Sequence, residues 1–201
     1  MPRMHRRAAN EVSDQPKIIL GFGASSMQGV GDPEGGFFKR LEKNWRGRGA
    51  KPRFINQGIG GDTTRDMLAR LPQTVALSPD LTIVLLGCND LSRSPDGSPD
   101  RRTALAEYQT NLEKLFSGLP GDQKLFCTSF RPDLERHGIS AENFSFYMNA
   151  ARSQAEEAGW DLLDFYQLSL TWPADFYAED GMHASAKGHA WMAEQIIKGL
   201  E

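Results

Sequence analysis

Five short apolar runs alternate along the chain with stretches of helical periodicity. The runs are predicted as strands over 16–21, 52–56, 81–87, 124–129 and 160–165. The first and the third are continuously apolar, which is typical of parallel strands that are covered on both faces. This alternation predicts an α/β fold in which a parallel sheet lies between two layers of helices.

Apolar residues three or four positions apart predict an amphipathic helix after each strand. Their stripes span 37–45, 67–71, 105–115, 147–158 and 192–200. The second helix is predicted over 64–71, with Pro72 directly after it. Ser185 is a candidate N-cap for the last helix, because its hydroxyl can accept a hydrogen bond from the first turn.

Length and composition favour one globular domain. The chain has 201 residues, of which 39% are hydrophobic, with two cysteines and a net charge of −3. A chain of this length buries roughly 70% of its unfolded surface, so it needs no disulfide or metal for stability. We expect a disordered tail over 1–15 and a single domain over 16–201. The weak acidic charge gives no reason to expect nucleic acid as a partner.

The sequence also carries expectations about location. No apolar run is long enough to span a membrane, and the polar N-terminal stretch lacks the apolar core of a secretion signal. Sparse cysteine favours a reducing compartment. We therefore expect a cytoplasmic protein without membrane insertion.

The residues that follow each strand are candidates for function, because doubly wound sheets bind ligands at the carboxyl ends of their strands. The loop from Gly21 to Gly31 is rich in small residues and allows three interpretations. It is a tight turn, a phosphate-binding loop, or the support of a nucleophilic Ser25. The dinucleotide fingerprint fails here, since Ser26 stands at the position of its third glycine.

The loops after the second and third strands carry candidate hydrogen-bond donors. Three glycines within 58–61 indicate a backbone that needs positive φ or close approach. An N–H there can face a ligand, while Asp62 or Thr63 could simply cap the next helix. Asn89, just past the third strand, either builds a turn or presents its amide to an oxyanion.

Asp180 and His183 are the remaining candidate pair. Their spacing can place the carboxylate against one ring nitrogen while the other faces the cleft, and a surface pair before a helix is the alternative. The other histidines are His5 in the tail, His137 in a polar loop and His189 in the last helix. No second His or Cys lies at metal-ligand spacing from His183, so we expect no metal site.

Together these loops supply a nucleophile, a base, an orienting acid and oxyanion donors, which acyl transfer requires. The chain resembles the SGNH hydrolases, the GDSL-type esterase and lipase superfamily, from Gly21 to about Ile197. Four sequence blocks carry the resemblance: GASSMQG around Ser25, NQGIGGDT around Gly61, GCND around Asn89, and DGMH at 180–183.

The resemblance implies roles for particular residues. Ser25 is then the nucleophile, His183 the general base and later the acid, and Asp180 the residue that orients the imidazole. The oxyanion hole is implied to consist of the N–H groups of Ser25 and Gly61 and the side chain of Asn89. The implied fold is a three-layer α/β/α sandwich with a five-stranded parallel sheet in flavodoxin-like order.

One position departs from the family pattern. The family usually has Asp immediately before the nucleophile, and this chain has Ala24. That Asp is not a triad residue, so hydrolysis can survive its loss. The change removes a charge and hydrogen bonds beside the nucleophile. The alternative that this chain is a non-catalytic member of the family therefore stays open.

The implied activity is a serine esterase that cleaves small acyl esters through an acyl-enzyme, without metal or organic cofactor. A carbohydrate acetylesterase, a thioesterase or lysophospholipase, and an acyltransferase stay open. Trp172, Phe176 and Tyr177 are candidates to line an acyl pocket, to stack on a sugar ring, or to pack over the sheet edge. The alternative from another class is a non-catalytic domain that binds a phosphate or a flavin in the Ser25 loop.

Overall fold

The computed structural model describes residues 17–49, 51–91 and 102–200. Its five strands are β1 (Ile18–Gly23), β2 (Arg53–Gly58), β3 (Leu81–Leu85), β4 (Gln123–Cys127) and β5 (Asp161–Leu163). Its α-helices are α1 (Ser25–Gln28), α2 (Gly36–Gly47), α3 (Thr64–Val75), α4 (Leu105–Gly118), α5 (Ala141–Glu157), α6 (Phe165–Leu168) and α7 (Ala186–Leu200). Each predicted strand overlaps an observed one. The tail predicted over 1–15 lies outside the described residues, and the single domain stays a prediction.

All neighbouring strands of the sheet are parallel, and their order is β2-β1-β3-β4-β5. This is the predicted flavodoxin-like order, which is confirmed. β1 lies between β2 and β3, and its last residue Gly23 pairs with Gly58 on one side and Leu85 on the other. The loops that leave these three strands therefore start side by side at the carboxyl edge of the sheet.

Alternating strand residues face two separate cores, because successive side chains of a strand point to opposite faces. Phe22, Val84 and Phe126 pack on one face with residues of α3, α4 and α5. Ile83 and Leu125 pack on the other face with residues of α2 and α7. The predicted three-layer α/β/α sandwich is confirmed.

The predicted end of the second helix before Pro72 is wrong, because α3 continues through the proline to Val75. Pro72 lacks the N–H that would bond to the preceding turn, so the helix needs other contacts there. Thr74, which is 1% exposed, provides them. Its Oγ1 lies 2.7 Å from Gln57 Oε1 of β2 and 3.1 Å from the carbonyl oxygen of Arg70.

Ser185 caps α7 as predicted, since its Oγ accepts a hydrogen bond from the N–H of Gly188 at 3.3 Å. Among the described residues, none of the helices combines the length and apolar character needed to cross a membrane. The cytoplasmic location stays a prediction.

His189, fully buried in α7, fastens this helix to the chain around α2. Its Nδ1 accepts a hydrogen bond from the N–H of Phe37 at 3.1 Å, and its Nε2 donates to the carbonyl of Val30 at 2.9 Å. The ring is therefore neutral. Burial lowers the pKa of His189, and the charge of Arg40 acts in the same direction, while the hydrogen bond to Val30 and the charge of Asp32 oppose them.

This histidine makes the stability depend on pH. Below the unfolded-state pKa of about 6.5, the unfolded chain binds a proton that folded His189 does not. We expect the free energy of unfolding to fall as pH drops below that value, by up to about 1.4 kcal/mol per pH unit until the folded-state pKa is passed. Urea unfolding at pH 7 and pH 5.5, with His189→Gln as the control without this titration, measures the effect. Equal pH slopes in both proteins would contradict it.

Candidate active site

Ser25 lies at the junction between β1 and the short helix α1. β1 is buried over all but its first residue, and the chain turns into α1 directly after the fully buried Ala24. The first N–H groups of a helix have no acceptor within the helix, and the N–H of Ser25 is one of them. The turn therefore brings both the hydroxyl and the N–H of Ser25 to the carboxyl end of the central strand.

His183 connects Ser25 to Asp180. Its Nε2 lies 3.0 Å from Ser25 Oγ, and its Nδ1 lies 2.6 Å from Asp180 Oδ2. An ionised carboxylate only accepts hydrogen bonds, so Nδ1 carries the proton and Nε2 is left to accept from the hydroxyl. The structure thus brings the three predicted residues together in the order hydroxyl, imidazole, carboxylate.

Both oxygens of Asp180 have separate partners. Oδ1 accepts hydrogen bonds from the backbone N–H groups of Met182 at 2.9 Å and His183 at 3.0 Å. Oδ2 accepts the hydrogen bond from the His183 ring. Burial opposes ionisation, but the hydrogen bonds from the ring and the backbone outweigh it and lower the pKa of Asp180 to about 2. The carboxylate is therefore charged at neutral pH and fixed in orientation.

The segment after β4 fixes the turn that carries Asp180 and His183 through hydrogen bonds to its backbone. Three consecutive carbonyls, at 179–181, accept hydrogen bonds from the Arg136 side chain at 2.6 Å, the His137 ring at 2.9 Å and the Asp133 N–H at 2.8 Å. Sequence reasoning placed His137 only in a polar loop, because nothing in the local pattern pairs it with a residue 43 positions later.

The loop after β2 lies against α1. A Cβ on Gly58 would stand 2.1 Å from the backbone nitrogen of Gln28, so only glycine fits there. The N–H of Gly60 donates to Gln28 Oε1 at 2.8 Å, and a Cβ on Gly60 would lie 4.0 Å from that of Ser25. Gly61 has a φ of 83°, which favours glycine. The predicted backbone donor Gly61 therefore belongs to a loop in contact with the Ser25 helix.

Asn89 reaches the same loop from the end of β3. Its Nδ2 donates to the carbonyl of Asp62 at 2.8 Å, which uses one of the two amide hydrogens. Asp62 directly follows Gly61. The structure thus places the three predicted donors, Ser25, Gly61 and Asn89, on neighbouring loops.

Sequence reasoning missed the polar residues that brace these loops. Asp90 is 4% exposed, and its carboxylate accepts hydrogen bonds from the N–H of Thr64 at 3.0 Å and from the Thr64 hydroxyl at 2.7 Å. These bonds tie the loop after β3 to the start of α3. Burial raises the pKa of Asp90, although the hydrogen bonds from Thr64 partly offset it. The Asn-Asp dipeptide was visible in the sequence, but its partners are remote. The partners of Arg70 are also remote in sequence, since it joins the loop that carries Asp62 to the end of β1.

The three aromatic pocket candidates contact one another and the core. Trp172 stacks on Phe130 with ring centroids 5.0 Å apart, and it meets Phe176, Tyr177 and Trp191 edge-on. These contacts match the alternative in which the aromatic residues pack over the sheet edge.

Within the described parts of the chain, no cluster of three or more His, Cys, Asp or Glu side chains is arranged to hold a metal ion. Cys88 and Cys127 are both buried and are not joined in a disulfide. The sulfur of Cys88 lies 3.2 Å from that of Met182.

The chain is similar in sequence to known esterases and in fold to a known lipase/acylhydrolase. A model of the GDSL-like Lipase/Acylhydrolase family matches residues 22–191. An arylesterase of Vibrio mimicus is 27% identical over 204 residues, covering 96% of this chain and 91% of its own. An acetylxylan esterase of Geobacillus stearothermophilus is 26% identical over 157 residues, covering 74% and 72%. The crystal structure of a lipase/acylhydrolase from Enterococcus faecalis has a TM-score of 0.80 at 23% identity, covering 92% and 95%.

Proposed function

The chain belongs to the GDSL-like lipase/acylhydrolase family, within the SGNH hydrolases, and we propose that it hydrolyses carboxylic esters through Ser25, His183 and Asp180. The observation that carries the proposal is the 3.0 Å contact between Ser25 Oγ and the His183 nitrogen that can accept a proton. A hydroxyl within hydrogen-bond reach of an oriented base is the arrangement that nucleophilic acyl transfer requires.

Acylation begins when Ser25 Oγ attacks the ester carbonyl carbon and His183 Nε2 takes the hydroxyl proton. The carbonyl π electrons move to its oxygen and form a tetrahedral oxyanion. When this intermediate collapses, the bond to the alcohol breaks and Nε2 gives its proton to the leaving oxygen. The acid remains as an ester on Ser25.

Deacylation repeats these steps with water as the nucleophile. His183 Nε2 removes a proton from water, the hydroxide adds to the acyl carbon, and the second tetrahedral intermediate releases Ser25 Oγ, which recovers the proton. Asp180 stays ionised and stabilises the positive imidazolium that forms in each half-reaction. Its fixed orientation keeps the Nδ1 proton in place, so Nε2 always starts as the acceptor.

The oxyanion is proposed to be bound by the N–H groups of Ser25 and Gly61 and the second amide hydrogen of Asn89. One such donor contributes about 2.7–4 kcal/mol to transition-state stabilisation in a comparable site. The contacts among these loops support this assignment, since they hold the three donor-bearing segments next to one another. No step needs a metal or an organic cofactor.

Small acyl esters are the proposed substrates. The contacts of Trp172 support this choice, because Phe130 stacks on its ring and three other aromatic rings make T-shaped contacts with it. Stacking on a sugar needs an open aromatic face. A carbohydrate acetylesterase is the second candidate, and the likeness to the acetylxylan esterase of Geobacillus stearothermophilus favours it.

The experiment combines serine labelling with a substrate series. We expect a fluorophosphonate probe to label the protein and p-nitrophenyl acetate to be cleaved faster than the palmitate ester. Acetylated xylooligosaccharides, assayed by acetate release, distinguish the second candidate. A folded protein that neither reacts with the probe nor cleaves any ester would refute the proposal and favour the phosphate- or flavin-binding alternative.

A further inference from the structure

The guanidinium of Arg70, on α3, joins two loops that the proposed chemistry uses. Its Nε donates to Asp62 Oδ2 at 2.7 Å, and its Nη2 donates to the carbonyl of Gly23 at 2.9 Å. The same group lies 4.1 Å above the centroid of the Phe22 ring. The Arg70 and Asp62 side chains are only 15% and 11% exposed. This ion pair is therefore partly shielded from water, and its geometry is constrained on three sides.

The two anchoring points are next to proposed oxyanion donors. Gly23 ends β1, two residues before Ser25, and Asp62 directly follows Gly61. The carbonyl of Asp62 also accepts the amide of Asn89 at 2.8 Å. All three donor-bearing loops thus meet at the Arg70–Asp62 pair.

The glycine loop needs such an anchor. Gly60 and Gly61 have no side chains with which to fix their own position, and glycine has the widest conformational freedom of all residues. An oxyanion donor is effective only when it lies about 2.7–3.1 Å from the position that the oxyanion will occupy. The forked guanidinium can donate to the carboxylate and to the carbonyl at once, which a lysine ammonium does less well.

The pair acts through geometry and not through charge. Arg70 and Asp62 carry opposite charges, so the pair has no net charge. Removal of the guanidinium would break both of its hydrogen bonds, so the loop that carries Asp62 would no longer be tied to the end of β1.

We propose that Arg70 is a positioning residue of the oxyanion hole, which clamps the Gly60–Asp62 loop to the end of β1. The proposal rests on the proposed esterase function. It assigns a role to a residue that touches neither the substrate nor the reacting atoms.

The first test replaces Arg70 by methionine, which keeps the aliphatic stem. We expect kcat for p-nitrophenyl acetate to fall roughly 10- to 100-fold, because a small misplacement of catalytic groups has effects of this size. KM should change less than threefold, since the donors act mainly on the transition state. Arg70→Lys should give an intermediate kcat.

The matched control is Arg152→Met. Arg152 forms a similar partly buried ion pair with Asp164, at 2.8 Å and with 26% and 16% exposure, between α5 and the end of β5. We expect this variant to lose thermal stability as Arg70→Met does, but to keep its kcat. A merely structural role for Arg70 would make the two variants behave alike.

A second measurement uses a trifluoromethyl ketone, which adds to an active serine and forms an oxyanion. The affinity of the protein for this ketone should fall in Arg70→Met by the same factor as kcat/KM.

A double-mutant cycle combines Arg70→Met with Asn89→Ala. The two losses of kcat/KM, as free energies, should be less than additive, because both changes act on one oxyanion site.

The outcomes separate this proposal from the one on which it rests. If Ser25→Ala keeps full turnover, the esterase mechanism itself is wrong. If Ser25→Ala is inactive while folded Arg70→Met keeps kcat/KM within threefold of the parent, only the role of Arg70 is overturned. If Arg70→Met fails to fold, Arg70→Lys decides: an unchanged kcat and ketone affinity overturn the proposal, and a joint loss supports it.

Discussion

Replacing Ser25 by alanine is expected to lower kcat for p-nitrophenyl acetate by about 10⁴- to 10⁶-fold, as removal of a nucleophile does in other serine hydrolases. Ser25 Oγ is the atom that bonds to the acyl carbon, and it lies 3.0 Å from His183 Nε2. Alanine offers no atom that could replace it. Substrate binding should persist, because the change removes a single oxygen.

The adjacent serine provides a matched control. Ser26 lies in the same helix and is 6% exposed, while the hydroxyl that contacts His183 is that of Ser25. Ser26→Ala should keep kcat within a few-fold and still react with a fluorophosphonate, whereas Ser25→Ala should not react. Labelling of Ser25→Ala at the parent rate would show that another residue is the nucleophile.

Replacing Asp180 by asparagine is expected to lower kcat by roughly 10⁴-fold, the size of the effect when a triad carboxylate becomes an amide. The two backbone N–H groups that now bond to Oδ1 will retain the amide oxygen, so the NH2 group will face the ring. An NH2 group cannot accept the Nδ1 proton. The imidazole then favours the tautomer with the proton on Nε2, which cannot accept from Ser25.

Nitrogen NMR of labelled histidine reports this change of tautomer directly, alongside kcat/KM. Asp175→Asn is the control. Asp175 lies five positions before Asp180, and its exposed carboxylate pairs with Lys187. A kcat for Asp180→Asn within tenfold of the parent would exclude Asp180 as the orienting acid.

The sequence predicted the parts of the site that depend on local patterns. Ser25 and Asn89 follow apolar strands, and Asp180 and His183 are three residues apart, so strand position and spacing made them candidates. Their roles were implied by the resemblance to the SGNH hydrolases. Parallel strand alternation then placed these loops at one edge of the sheet.

The parts that were missed depend on contacts between distant segments. Arg70 meets Gly23 across 47 positions, and His137 meets Asp180 across 43. No periodicity or spacing rule encodes such pairs, because they arise only when packed elements are brought together. The helix end at Pro72 was wrong for the same reason, since the buried Thr74 and its partner Gln57 on β2 sustain the turn that the proline weakens.

The placement of the acid–base pair has a consequence for the order of folding. His183 is 158 positions from Ser25, and it directly precedes α7, which packs on α2 early in the chain. Contacts between such distant segments close large loops and tend to form late. During synthesis, Ser25 therefore has no base until nearly the whole described chain has emerged and α7 has docked. Esterase activity would thus report the completed fold, and partly folded chains would expose an ordinary, unactivated serine.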